Sequence, residues 1–192
     1  LQLKRAAIAK DARLASDMGQ LRRVVLSAAL SGTPANQLSI VPTEDTALRA
    51  AVDSCFNCFY DARSDFALAS NVHHTLDKLS QHLPLVGITN GNVNAQKVGL
   101  DRYFTAILHA SVERPMKPAQ NMFDEAASLI KVTPSHILHV GDNIIKDVFG
   151  AINAGYQSAW FACNRPMQLK LEPVSVLPHV QLDSLEELIQ FV

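Results

Sequence analysis

The stretch that decides the fold runs from His139 to Gly155, HVGDNIIKDVFGAINAG. An apolar run, Ile137 to Val140, enters Gly141-Asp142, and a second carboxylate follows at Asp147. Beyond it Ile144, Ile145, Val148, Phe149 and Ile152 recur at the spacing of one helix face, which leaves Lys146 and Asp147 off the centre of the stripe. A strand that ends in a glycine and an acid and passes at once into an amphipathic helix is half of a strand-helix-strand unit. The apolar SAWFA from Ser158 supplies its next strand.

The same texture repeats upstream. VHHTLDKLSQH leads into LPLVGIT, NAQKVGLDRYF into TAILHA, and QNMFDEAASLIK into HILHV. Strands separated by helical patterns of about ten to fifteen residues are the signature of a parallel sheet wrapped by helices. The fold class is therefore α/β, a three-layer Rossmann-like parallel sheet over residues 68–192. The Pro-containing stretch from Arg165 to Pro178 reads as a surface connection.

Residues 1–67 read differently. LQLKRAAIAKDARLAS is rich in helix formers, and Leu21, Val24, Val25 and Ala28 recur at helical spacing. SGTPAN breaks that pattern, and a further helix is expected from about Thr43 to Tyr60. No segment before residue 84 reads as a strand, so the first third is expected to form an all-helical domain.

Composition narrows the function classes. Of 192 residues 48% are apolar and 18% charged, and the net charge of -1 offers no basic field for nucleic acid. No apolar run approaches the roughly 20 residues of a membrane span. A soluble, cytoplasmic protein, monomeric, with neither nucleic acid nor membrane as partner, is the expectation. Three cysteines are too few and uneven for a disulfide framework. Cys55 and Cys58 form a C-x-x-C without a second ligand pair nearby, and are read as packing residues rather than a zinc or redox site. His136 and His139, three apart in a strand, should point to opposite faces, which argues against a histidine metal site.

In an open parallel sheet ligands gather beyond the carboxyl ends of the strands, so the residues just past each strand carry the functional reading. TNGN supplies the Thr89 hydroxyl and, from Asn90 onward, backbone amides able to hold an oxyanion; equally, Asn-Gly can simply make a turn. Lys117, ahead of Pro118, could set its ammonium against a phosphate or merely be solvated. Asp142 and Asp147, with Gly141 permitting close approach, are oxygen ligands of the kind Mg²⁺ takes, although each could also serve the start of the helix. The combination is what matters: a hydroxyl, an ammonium and a carboxylate pair stand at the carboxyl edges of successive strands, one strand-helix unit apart, and together describe a site for phosphoryl chemistry.

GITNGN, KPAQNMFDEA and HVGDNIIKDVFGAINAGYQSAW resemble, in this order, the motifs of the haloacid dehalogenase superfamily. The resemblance covers about residues 70–192. It implies that Thr89 and the Asn90 amide bind the transferring phosphoryl group and that Lys117 neutralises charge on phosphate and nucleophile. It further implies that Asp142 ligates Mg²⁺, that Asp147 supports the metal or its waters, and that the helical first third is a cap. Dehalogenases proper tend to replace the Gly-Asp site with a Ser-Asn type sequence; the intact Gly141-Asp142 favours Mg²⁺-dependent phosphatases. General likeness is to the bacterial subgroup containing the phosphatase of the phosphorylated ribitylaminouracil of riboflavin synthesis. The expected activity is hydrolysis of a small phosphorylated metabolite through an aspartyl-phosphate. The alternatives are a 2-haloacid dehalogenase and, in another class, a non-catalytic binding protein.

One departure stands out. The family's nucleophile is the first Asp of an Asp-x-Asp motif on the first strand, and these 192 residues contain no Asp-x-Asp. In the family that strand lies between the strands ending here at Thr89 and Asp142. Its omission should leave two strand edges exposed and a cavity between them, and should forfeit apolar burial worth about 1.5–3 kcal/mol for each large side chain. A segment preceding Leu1 that carries the strand and the nucleophile is therefore expected.

Overall fold

The computed structural model describes residues 1–163, 165–173 and 176–192, and the chain divides into two compact units. The first comprises residues 1–67, 89–99 and 109–116; the second comprises residues 68–88, 100–108 and 117–192. No helix among the described residues is long and apolar enough to cross a membrane.

The first unit is built on helices α1 (Gln2–Lys10), α2 (Met18–Leu30) and α3 (Thr46–Arg63). Asp17 and Asp45 cap α2 and α3, each accepting hydrogen bonds from the first free amides, which fixes where these helices begin. Ala7, Leu14, Leu21, Ala28 and Leu38 close into one apolar cluster, with Val112 from a later segment packed against it. Between α2 and α3, Arg22 lies over Phe59 and Arg23 over Phe56, and Arg23 also pairs with Asp53. Cys55 and Cys58 do not pack: both are exposed free thiols. The sequence expectation for them is corrected accordingly.

In the second unit α4 (Ser70–His82) precedes β1 (Val86–Thr89), and β2 (Ala106–His109) lies beside β1. α5 (Asn121–Ile130) leads to β3 (Leu138–Gly141), which pairs in parallel with β4 (Gln157–Trp160). β5 (Val180–Gln181) adds a short parallel edge to β4; two residues carry no periodicity, and the sequence holds no sign of it. Of the Pro-containing stretch read as a surface connection, residues 174 and 175 lie outside the described residues, and Leu169–Leu171 forms a single helical turn.

β1 and β3 belong to different sheets, ordered β1-β2 and β3-β4-β5. Between their free edges lies a cavity of about 410 Å³, lined by Val86, Gly87 and Ile88 on one side and by Leu138, His139 and Val140 on the other.

Two further expectations change. The stretch from Asn94 to Phe104 forms turns and one short helical turn, Asp101–Tyr103, in place of a helix. The Asn94 side chain accepts from the Lys97 amide, and Gly99 takes φ +73°, a conformation that breaks a right-handed helix. After β3, residues Ile144–Phe149 wind as a π-helical turn before α6 (Gly150–Asn153). The wider spacing shifts the phase of the apolar stripe. Ile144 and Val148 are buried, while Ile145, expected in the stripe, faces solvent.

Candidate functional site

Lys117 is held by its surroundings and not by its own turn. The residue is buried, at 8% exposure, and its ammonium donates to the Ile88 carbonyl at 2.9 Å and meets Asp147 Oδ1 at 2.6 Å. Gly150 allows α6 to approach the loop behind Lys117: a Cβ there would lie 3.2 Å from Pro118 Cα and 3.1 Å from the Phe123 ring. The alternative of a solvated lysine is excluded by this burial.

Asp147, at 5% exposure, stands against the end of β3. Gly141 makes this possible, since a Cβ on it would sit 2.7 Å from Asp147 Oδ2 and closer still to Cγ. Oδ2 accepts the Asn143 amide at 2.9 Å; Oδ1 takes Lys117 and, at 3.3 Å, Nε2 of His139. Burial by itself would raise the Asp147 carboxyl, but the His139 hydrogen bond and the Lys117 charge outweigh it and hold the group well below the usual carboxylate range. The His139 imidazole moves the other way. Burial lowers it, with the nearby Lys117 charge adding to the effect and the Asp147 contact opposing it, so the ring is neutral and Nε2 donates to the carboxylate. Its edge-to-face contact with Phe123, 5.1 Å between centroids, fixes the ring plane.

His139 joins the candidate site through Asp147, a contact that the sequence reading missed. A signal for it exists: His139 and Gly141 lie two apart on one strand and so share a face, the face that meets Asp147. A test for paired histidines does not detect it. His136 is not in the strand at all but in the helical turn Pro134–His136.

Asp142 differs from its partner. It is exposed, and its carboxylate has no hydrogen-bond partner among the described residues. Its backbone carbonyl is fixed by Trp160 Nε1 at 2.9 Å and by Arg165 at 2.8 Å. The pair therefore divides the work expected of it. Asp142 offers free oxygens, whereas both oxygens of Asp147 are engaged. No cluster of three or more His, Cys, Asp or Glu suited to a metal occurs among the described residues. One free carboxylate, with a second reached through water, still fits Mg²⁺, which keeps several waters and binds through one or two carboxylates.

Thr89 and Asn90 fall in the first unit, and Lys117, Asp142 and Asp147 in the second. Thr89 Oγ1 accepts the Gly91 amide at 2.9 Å, a turn closed by the side chain itself, and its hydroxyl proton remains to be donated.

A hydrolase family, the haloacid dehalogenase-like hydrolases, matches residues 16–155. The chain is 35% identical over 130 residues to 5-amino-6-(5-phospho-D-ribitylamino)uracil phosphatase YigB of Escherichia coli (strain K12), covering 68% of this chain and 55% of that protein. It is 30% identical to the N-acylneuraminate-9-phosphatase of Homo sapiens over 147 residues, 73% of this chain and 58% of the relative. The chain thus spans little more than half the length of these two relatives. A crystal structure of a 2-haloacid dehalogenase from Pseudomonas syringae pv. Tomato DC3000 superposes with TM-score 0.85 at 26% identity, covering 98% of this chain and 76% of the other.

Proposed function

We propose, for a chain that belongs to the haloacid dehalogenase-like hydrolase family, that it forms the greater part of a Mg²⁺-dependent phosphatase of small phosphorylated metabolites. The observation that carries this reading is the buried Lys117 ammonium, locked to Asp147 at 2.6 Å, with the carboxylate of Asp142 left free just past the end of β3. A carboxylate oxygen attacks phosphorus, the ester P–O bond breaks, and the alcohol leaves; water then cleaves the aspartyl-phosphate to give inorganic phosphate. The attacking aspartate rides on a strand seated in the cavity between β1 and β3, whose free edges offer backbone groups to both sides of such a strand.

Thr89 and the Asn90 amide hold phosphoryl oxygens by hydrogen bonds. Lys117 holds positive charge beside the reacting oxygens, and Asp147 with His139 keeps that ammonium from turning away. Asp142 is the residue to hold Mg²⁺ directly, with Asp147 acting through water. Bound there, Mg²⁺ supplies charge against the phosphoryl oxygens. Residues 1–67 act as the cap that excludes water and selects the substrate. The likeness to the ribitylaminouracil phosphatase supports a phosphorylated ribitylaminouracil as the substrate.

The test, made on a protein in which this chain is joined to the strand bearing the nucleophilic aspartate, is hydrolysis of p-nitrophenyl phosphate with and without Mg²⁺, alongside calorimetric Mg²⁺ titration. Asp142→Ala should lose both the metal response and turnover; an Asp142→Ala protein that still turns over with Mg²⁺ would sink the assignment. The dehalogenase likeness supports a second reading, attack on carbon. Halide release from 2-chloropropionate in the presence of EDTA would select it, and Mg²⁺ binding without either turnover would select a binding protein.

A further inference from the structure

One peptide unit beside the candidate metal residue is held from both ends. The Asp142 carbonyl accepts Trp160 Nε1 at 2.9 Å and the Arg165 guanidinium at 2.8 Å, while the amide of the same peptide bond, that of Asn143, donates to Asp147 Oδ2 at 2.9 Å. We infer that Arg165, held in turn by Glu172, is a positioning residue for the metal site: it locks this peptide so that the free carboxylate of Asp142 is aimed before a divalent cation arrives. The role of Asp142 as a metal ligand rests on the phosphatase reading; the locked peptide does not.

The Asp142 side chain creates the need. It is exposed, and its carboxylate has no hydrogen-bond partner among the described residues, so nothing at the carboxylate end fixes its direction. What remains is the backbone, a short side chain away. Three hydrogen bonds on one peptide unit leave the backbone torsion next to that side chain little freedom. A ligand with fewer orientations to lose binds its cation more tightly, and Mg²⁺, which demands near-ideal octahedral geometry, gains most from such aim.

Arg165 stands in the segment after β4 and is itself fixed. Its guanidinium pairs with Glu172, whose side chain is only 14% exposed, and lies over the Trp160 ring, 5.8 Å from the centroid. Met167 and Leu169 of the same segment pack on the cluster of Ile144, Val148 and Trp160, all within the second unit. The planar fork of an arginine lets one group reach a carboxylate and a carbonyl together, which an ammonium does not reproduce. Glu172 has a second effect, since a guanidinium beside a cation site repels the cation and the paired carboxylate offsets that charge. The two roles of Arg165 therefore differ in sign. Acting through charge alone, its removal would tighten Mg²⁺ binding; acting through the locked peptide, its removal weakens it.

The experiment uses a protein in which this chain is joined to the strand bearing the nucleophilic aspartate. Mg²⁺ affinity is measured by calorimetry, and the ¹³C shift of the Asp142 carbonyl reads the hydrogen bonds on that oxygen without metal. Arg165→Met combined with Glu172→Gln removes one charge of each sign and leaves the net charge as it was. This double variant should bind Mg²⁺ about tenfold more weakly, and its metal-free Asp142 carbonyl should move to lower ¹³C shift as a donor is lost. Arg165→Met alone should also weaken Mg²⁺, although a positive charge has gone. Arg165→Lys, which keeps the charge and loses the fork, should fall between parent and double variant in both readouts, and it decides the case if the double variant does not fold. Mg²⁺ bound by folded variants as tightly as by the parent, or an unmoved carbonyl shift, would overturn the positioning role and leave the phosphatase reading standing. A parent that binds no Mg²⁺ would sink the phosphatase reading, and the positioning role with it, even where the carbonyl shift moves as expected.

Discussion

Two buried polar groups in this molecule are treated in opposite ways. Around Asp147 every oxygen is engaged: Lys117, His139 and the Asn143 amide surround one carboxylate within 2.6 to 3.3 Å. The Asn92 amide, also shielded from solvent, is engaged by nothing among the described residues. Leaving such a group unsatisfied costs about 1–3 kcal/mol, whereas a paired ion costs heavily only when it is broken. The first arrangement is a closed device that holds charge in place. The second is left unpaired among the described residues, at that cost to the fold.

The contrast can be broken most sharply at Asp147. Asp147→Ala should destabilise the chain by about 3–5 kcal/mol in urea unfolding, because it strands the Lys117 ammonium in a buried position. The double variant Lys117→Met, Asp147→Leu should recover much of that loss. A single-variant cost under about 1 kcal/mol would mean that the pair is not closed. Gly141→Ala comes next, at about 1–3 kcal/mol, since its new Cβ would fall 2.5 Å from Asp147 Cβ, an atom that side-chain rotation does not move. A wild-type midpoint in Gly141→Ala would show Asp147 free to move.

Tyr156 is an intermediate case, its hydroxyl donating to the Phe123 carbonyl at 2.5 Å. Burial pushes its hydroxyl up to about 12. A raised pKa stabilises the fold fully below the unfolded value of about 10, and that contribution disappears as pH rises through about 12. Tyr156→Phe should therefore cost about 1 kcal/mol at neutral pH and lose less stability than the parent between pH 10 and 12. Parallel pH profiles for the two proteins would show the hydroxyl to be solvated. At the small end, Cys55→Ser and Cys58→Ser should each stay within about 0.5 kcal/mol of the parent, as exposed positions without partners do. A larger loss in either would reinstate them as packing residues.

The elements that carry the site are legible where the periodicity is strong. β1, β2, β3, α4 and α5 coincide with the apolar runs and helical stripes read from the residues, and Lys117 and Asp147 stand out from their place at strand ends. What escapes follows from physics that a stripe does not encode. A π-helical turn shifts the phase at Ile145, a positive-φ glycine at Gly99 stops a helix before it can form, and α3 leaves Cys55 and Cys58 exposed. His139 escapes because its role depends on one neighbour across a tight turn, not on a pattern along the chain.

By itself, then, the sequence determined the family to which the chain belongs. Residue types at strand ends are fixed by composition and spacing, and a glycine beside an acid, a lysine before a proline and a Thr-Asn-Gly turn can be seen in one dimension. Only the tertiary structure decided how those groups are shared out. It closed Asp147 on Lys117 and His139, left Asp142 free, parted β1 from β3 around a cavity, and buried Asn92 without a partner among the described residues. Burial and pairing are properties of neighbours distant in the chain, and those neighbours are chosen by packing.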